Sequence, residues 1–163
     1  MTKFAEVLAA LQAEGVDFIV VGGLAANAHG AIRTTRDIDV VYSREAANLA
    51  RLARALAPYS PYLRGAPPGL PFRLDEETLR MGLNFTLTTS LGELDLLGDV
   101  TGGGTFEDLL PHTRELELFG RHYRVLDLPT LIRVKRAAGR PKDFEALAEL
   151  ELIRDGLERS RRE

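Results

Sequence analysis

Cysteine is absent from all 163 residues. Its absence excludes disulfides and thiolate metal centres and leaves oxygen or imidazole as side-chain ligands for any metal. No apolar run approaches the length that spans a bilayer, and the amino terminus has no signal-like apolar stretch, so a cytoplasmic protein with no membrane partner is expected. Neither charge sign dominates: a formal net charge of −3 argues against a polyanion binder held by bulk positive charge and leaves only local basic patches. Internal repeats and low-complexity tracts are missing too. What is present, 45% hydrophobic and 28% charged residues, suits an ordered chain the size of one domain with a substantial core.

The stretch from Phe18 to Tyr42 carries the chemistry. Phe18 to Val21 is an unbroken apolar, largely β-branched run, the pattern of a strand covered on both faces. Gly22 and Gly23 are expected to form a turn that lets the backbone approach something bulky. Leu24 to His29 is alanine-rich and suits a short helix whose first N–H groups lack intrahelical partners. Strand, glycine pair and helix start together make a generic phosphate site. After Gly30, Asp37-Ile38-Asp39 opens a second apolar run. Side chains two apart on a strand share a face, so Asp37 and Asp39 point together while Ile38 and Val40 point into the core. Two carboxylates so placed repel by about 2.5 kcal/mol at an effective dielectric near 20. A hard divalent cation is the natural remedy.

Thr2 is expected to cap a first helix with Phe4, Val7, Leu8 and Leu11 on its apolar stripe and Gly15 at its end. Ser43 is expected to cap a second, with Ala46, Leu49, Ala50, Ala53 and Leu56 inward and Arg44, Asn48 and Arg51 outward. Pro58 to Pro71 holds five of the eight prolines; it is expected to be irregular, a flap or rim beside the site. Asn84–Thr89 and Glu93–Gly98 alternate as an antiparallel pair, with Glu93, Asp95 and Leu97 on one face. Thr101–Thr105 reads as a linker. Glu115–Leu126 forms a hairpin about Gly120. Two helices follow, the last with Ala146, Leu150, Ile153 and Leu157 at helical spacing and a frayed RSRRE tail. His29, His112 and His122 show no ligand spacing.

A glycine pair ending a buried strand, thirteen residues, and Asp-x-Asp heading another strand resembles the nucleotidyltransferase superfamily of DNA polymerase beta. GGLAANAHG and RTTRDIDV are similar in wording to its small prokaryotic members, the minimal and AbiEii toxin-type nucleotidyltransferases. The likeness covers Val16 to Leu97 and, more loosely, Leu126 to Asp143. It implies an α+β fold: a small mixed sheet, helices mainly on one face, acids on the other, and a short helical carboxyl end. One domain over 1–163 is expected, with a core to about residue 126 and a helical segment over about 127–160.

The resemblance also implies roles. Asp37, Asp39 and Asp95 would be the catalytic and metal-binding acids, with Glu93 the rival for the third. Mg²⁺ or Mn²⁺ would be the cofactor. Gly22, Gly23, Thr35 and Lys135 would contact the nucleoside triphosphate, ATP among the candidates, with Arg140 and Lys142 as further candidates and the Arg33–Arg36 loop adding positive charge. Gly23 stands where many relatives have a phosphate-binding serine, so backbone N–H groups would carry that contact. The acceptor stays open among tRNA or other RNA 3′ ends, a protein hydroxyl and a small molecule such as an antibiotic. So does a toxin–antitoxin setting with a partner protein or a homodimer. A non-catalytic, antitoxin-like module is the alternative; retention of all three acids weighs against it. A third option is a nucleotide-binding half whose substrate domain is another polypeptide.

Overall fold

The computed structural model describes residues 1–163. A seven-stranded mixed sheet organises it, in the order β3-β4-β5-β2-β1-β7-β6. At its centre β1 (Phe18–Val21) is fully buried and pairs antiparallel with β2 (Asp37–Tyr42), Val21 opposite Asp39. Next to β2 lies β5 (Gly92–Leu97), parallel, which sets Asp39 opposite Asp95 and Asp37 opposite Glu93. Antiparallel β4 (Phe85–Thr89) follows, and then β3 (Tyr62–Leu63) as a two-residue edge. On the other side β7 (Arg121–Leu126) runs parallel to β1 and carries β6 (Thr113–Leu118) as the opposite edge.

Alternation decides which way the sheet faces. Ile38, Val40, Leu94 and Leu96 are completely buried, which turns Asp37, Asp39, Glu93 and Asp95 to the other face. One apolar cluster of 37 residues runs from Val7 to Leu150, so the last helices share the core with the sheet. Helices α1 (Phe4–Ala13), α3 (Ala46–Leu56) and α4 (Glu76–Met81) contact one another in series. A short α5 (Phe106–Leu109) follows the glycine-rich loop. The other contacting set is α2 (Gly22–Ala28), α6 (Leu128–Ala138) and α7 (Pro141–Arg162). These three border a cleft on the acid-bearing side, so that side is walled by helix as well. No helix is long and apolar enough to cross a membrane.

Several local expectations are corrected. Helix α2 begins at Gly22 itself, so the glycines are its first turn and no separate turn precedes it. Thr2 caps nothing: its buried hydroxyl donates to the Arg36 carbonyl (2.6 Å) and accepts from the Glu93 N–H (3.1 Å), tying the amino terminus to the ends of β2 and β5. Ser43 makes no cap for α3, whose N-cap is Glu45. Asn48 faces inward, fully buried, because its amide bonds the Asp17 main chain and the Ser43 carbonyl, while Ala46 is exposed. Arg44 is not simply solvated, since it donates to the Leu79 and Arg80 carbonyls that end α4. The proline-rich segment holds a 3₁₀ turn (Ala57–Tyr59) and β3. The Thr101–Thr105 loop packs on α6, where a Cβ on Gly103 would lie 3.1 Å from Val134. Helix α7 runs 22 residues to Arg162, so the tail expected to fray is helical; it buries Leu147 and Leu150 and leaves Leu157 exposed.

Candidate active site

The acid face of β2 and β5 forms one wall of a cleft of about 780 Å³, lined by Gly22, Gly23, Thr35, Asp37, Asp39, Asp95 and Lys135 among others. All seven residues singled out from the sequence therefore meet there. In-register parallel pairing of β2 with β5 is what brings Asp95, more than fifty positions along the chain, beside Asp39. Glu93 lies one pair further along, opposite Asp37.

Asp39 also reaches the start of α2. Gly22 has φ +65°, and a Cβ there would overlap the Asp39 carboxylate, so glycine is required both by the backbone and by the close approach of this acid. Gly23 faces Thr35: a Cβ on Gly23 would lie 2.7 Å from the Thr35 hydroxyl oxygen, so Thr35 fills the space that a larger residue at 23 would use. The Thr35 hydroxyl donates to the Asp37 carbonyl (3.1 Å) and is thereby held at the head of β2.

Crowding is written into the protonation of the acids. Burial, then the Asp95 charge and a hydrogen bond shared with Asp95, then the Asp37 charge, push Asp39 from the usual 3.8 up to about 7, with Lys135 opposing. Near neutrality Asp39 therefore still holds its proton much of the time, because burial and the neighbouring carboxylates oppose its charge. Asp95 Oδ1 is buried and has no hydrogen-bond partner, although Arg64 Nη2 stands 2.9 Å away, because the approach is misaligned. In this conformation no group of three or more histidine, aspartate or glutamate side chains is arranged to hold a metal ion. The donor types still suit a hard cation: three carboxylates on one sheet face, one of them with an unsatisfied oxygen and another driven by burial and by its neighbours to hold a proton.

Lys135 projects from α6 into the cleft, its side chain 17% exposed, and lies 3.7 Å from Asp143. Asp143 is buried and receives Arg140 at 2.7 Å. Burial opposes its ionisation, but the Arg140 hydrogen bonds and charge, with the Lys135 charge, prevail and hold its carboxyl below the usual range. Lys142 is exposed on the cleft rim. In the preceding loop Arg33 is paired with Glu145 (3.4 Å) and Glu149 (3.9 Å) of α7, which leaves Arg36 as its less encumbered cation.

Two side chains of the site escape a reading by motif. Arg64, from the proline-rich segment, reaches Asp37, Glu93 and Asp95. It is the sole charged residue between Pro58 and Pro71, and a lone charge in such a stretch was the available signal. Asp143, the end of the Arg-x-Lys-Asp turn, looks like any acid in the first turn of a helix, and only its burial sets it apart.

No family model matches the chain, and no curated protein does. Solved structures do. TM1012 of Thermotoga maritima, assigned as a nucleotidyltransferase, superposes with a TM-score of 0.58 at 18% identity, covering 91% of this chain and 94% of its own. ANT(2'')-Ia in complex with adenylyl-2''-tobramycin gives 0.58 at 17%, covering 98% and 97%. A solution structure of the antibiotic-resistance factor ANT(2'')-Ia gives 0.56 at 18%, covering 97% and 90%. At such identities the likeness speaks to the fold, and the chain has the α+β nucleotidyltransferase fold over nearly its whole length.

Proposed function

We propose that this chain is a metal-dependent nucleotidyltransferase that moves a nucleoside monophosphate from a nucleoside triphosphate to a hydroxyl acceptor. The observation that carries the reading is the convergence of Asp37, Asp39 and Asp95 on one face of adjacent strands, across a cleft from Lys135. Asp37, Asp39 and Asp95 would hold Mg²⁺ or Mn²⁺. When bound, such an ion neutralises phosphate charge and lowers the pKa of an attacking hydroxyl.

The chain's own residues supply positioning, which dominates phosphoryl transfer. Backbone N–H groups of Gly22 and Gly23 grip phosphate oxygens, and the Thr35 hydroxyl, filling the space beside Gly23, offers the contact that a serine gives in relatives once it turns its proton away from the Asp37 carbonyl. Lys135, steadied by Asp143, meets the outer phosphates. The acceptor oxygen forms its bond to the α-phosphorus as the bond to the bridging oxygen breaks and pyrophosphate leaves. Its proton passes to the Asp95 carboxylate.

The wording GGLAANAHG and RTTRDIDV supports a toxin-type member working with a partner protein or as a homodimer, with tRNA as the first acceptor to try. The ANT(2'')-Ia likeness supports a small molecule, an aminoglycoside first. The experiment incubates the protein with each α-labelled triphosphate, Mg²⁺ or Mn²⁺, and total tRNA, a protein fraction or aminoglycosides. Label should reach one acceptor class, and chelation or Asp37→Ala should abolish transfer. Triphosphate binding that is equal with and without metal, together with no transfer to any acceptor, would count against the reading.

A further inference from the structure

Arg64 is out of place for a surface arginine. It follows the two-residue edge strand β3, its side chain is 22% exposed, and it lies against the acids of the cleft. Its three nitrogens divide among four acceptors. Nη1 is 3.5 Å from Asp37 Oδ2, Nε is 3.8 Å from Glu93 Oε1, and Nη2 is 2.9 Å from Asp95 Oδ1 while donating to the Leu87 carbonyl at 2.7 Å. An arginine built as a permanent structural pair presents its planar fork to one carboxylate in two parallel hydrogen bonds. Here Nε is buried without a hydrogen-bond partner, and so is the Asp95 oxygen beside Nη2, so these contacts are electrostatic and poorly aligned.

We propose that Arg64 is a resident counter-cation of the acid cluster: it holds Asp37 and Asp95 while no metal is bound, and must withdraw toward Glu93 and the Leu87 carbonyl before a divalent cation can take both carboxylates. This rests on the metal-dependent reading above. Charge supplies the reason for both halves. Four carboxylates, Asp37, Asp39, Glu93 and Asp95, share one sheet face along β2 and β5, and a single guanidinium offsets only part of their repulsion. A divalent ion neutralises more charge in less space, so it displaces the guanidinium when available, and it must first overcome the attraction that holds Arg64 in place. Withdrawal has a prepared destination. Glu93 is outside the proposed ligand set, and the Leu87 carbonyl already accepts from Nη2. The side chain moves on a fixed backbone, since β3 pairs at Tyr62–Thr88 and Leu63–Leu87 and the Arg64 N–H donates to the Thr86 carbonyl at 3.0 Å.

The test measures Mn²⁺ affinity by calorimetry on the full chain, for wild type, Arg64→Gln and Arg64→Lys. Glutamine keeps the stem and a donor for Leu87 but removes the charge; lysine keeps a charge that cannot bridge the acids as a fork. Arg64→Gln should bind Mn²⁺ at least tenfold more tightly than wild type, and Arg64→Lys should lie between them. If the glutamine variant fails to fold, as circular dichroism would show, the lysine variant must still bind more tightly than wild type. Wild-type affinity or weaker in the folded variants overturns the competition and leaves the metal-dependent reading standing. Failure of all three proteins to bind Mn²⁺ at millimolar concentration overturns both.

Discussion

Replacing Asp39 by asparagine in the absence of metal should stabilise the protein at alkaline pH and do little at acid pH. Asp39 titrates near 7 in the fold against 3.8 for the free side chain, burial being the largest cause and Asp95 the next. A group whose pKa is raised by folding contributes stability that is complete below the lower value and is lost as pH climbs through the upper one. Wild type should therefore weaken between about pH 4 and pH 7 and level off above, by about 4 kcal/mol at about 1.36 kcal/mol per pH unit. The asparagine amide donates to Asp95 without needing that proton, so the variant keeps the shared hydrogen bond at every pH. For a domain of this size about 4 kcal/mol corresponds to a rise of roughly 10 °C in melting temperature. Calorimetric melts of both proteins in chelator, from pH 4.5 to 8.5, provide the measurement. The difference should be small at the acid end and largest at pH 8 and above. A constant difference across the range, or a variant less stable than wild type at pH 8, would refute the claim that burial and crowding of carboxylates set this behaviour.

Other perturbations test the phosphate side and the close approach at the glycines. Lys135→Ala removes a charge-assisted contact of roughly 1.5 to 3 kcal/mol, so triphosphate affinity should fall about ten- to a hundredfold while monophosphate affinity barely changes. Equal binding of both ligands to variant and wild type, by calorimetry, would return Lys135 to a purely structural pairing with Asp143. Gly22→Ala forces a side chain into a left-handed backbone and against the Asp39 carboxylate, so denaturant unfolding should show a loss of about 2 kcal/mol or more. A Gly22→Ala protein of wild-type stability would mean that α2 and Asp39 are not in the contact described.

Local pattern made much of the site legible. Period-two alternation placed Asp37 and Asp39 on one face, and Asp95 on one face with Glu93, because a strand's side-chain direction depends only on position along it. An apolar run stopped by glycines marked β1, and its four buried residues agree, whereas the glycines expected as a turn are the first residues of α2. Helix registers were less legible in α3 and α7. Asn48 is drawn inward by main-chain partners at Asp17 and Ser43, and the stripe of α7 is set by α6, which lies across it.

What only the tertiary structure decided are the meetings between segments distant in sequence. The parallel register of β2 and β5 chose Asp95 over Glu93 as the neighbour of Asp39. Packing of α6 and α7 brought Lys135 to the cleft and buried Asp143 against it. A two-residue edge strand delivered Arg64 among the acids. None of these follows from periodicity, because which strand pairs with which, and in what register, is settled by burying one shared apolar core and satisfying the main-chain hydrogen bonds of the whole sheet at once. The sequence by itself determined the acids, the glycines and the faces they occupy; the common core determined which charges they meet.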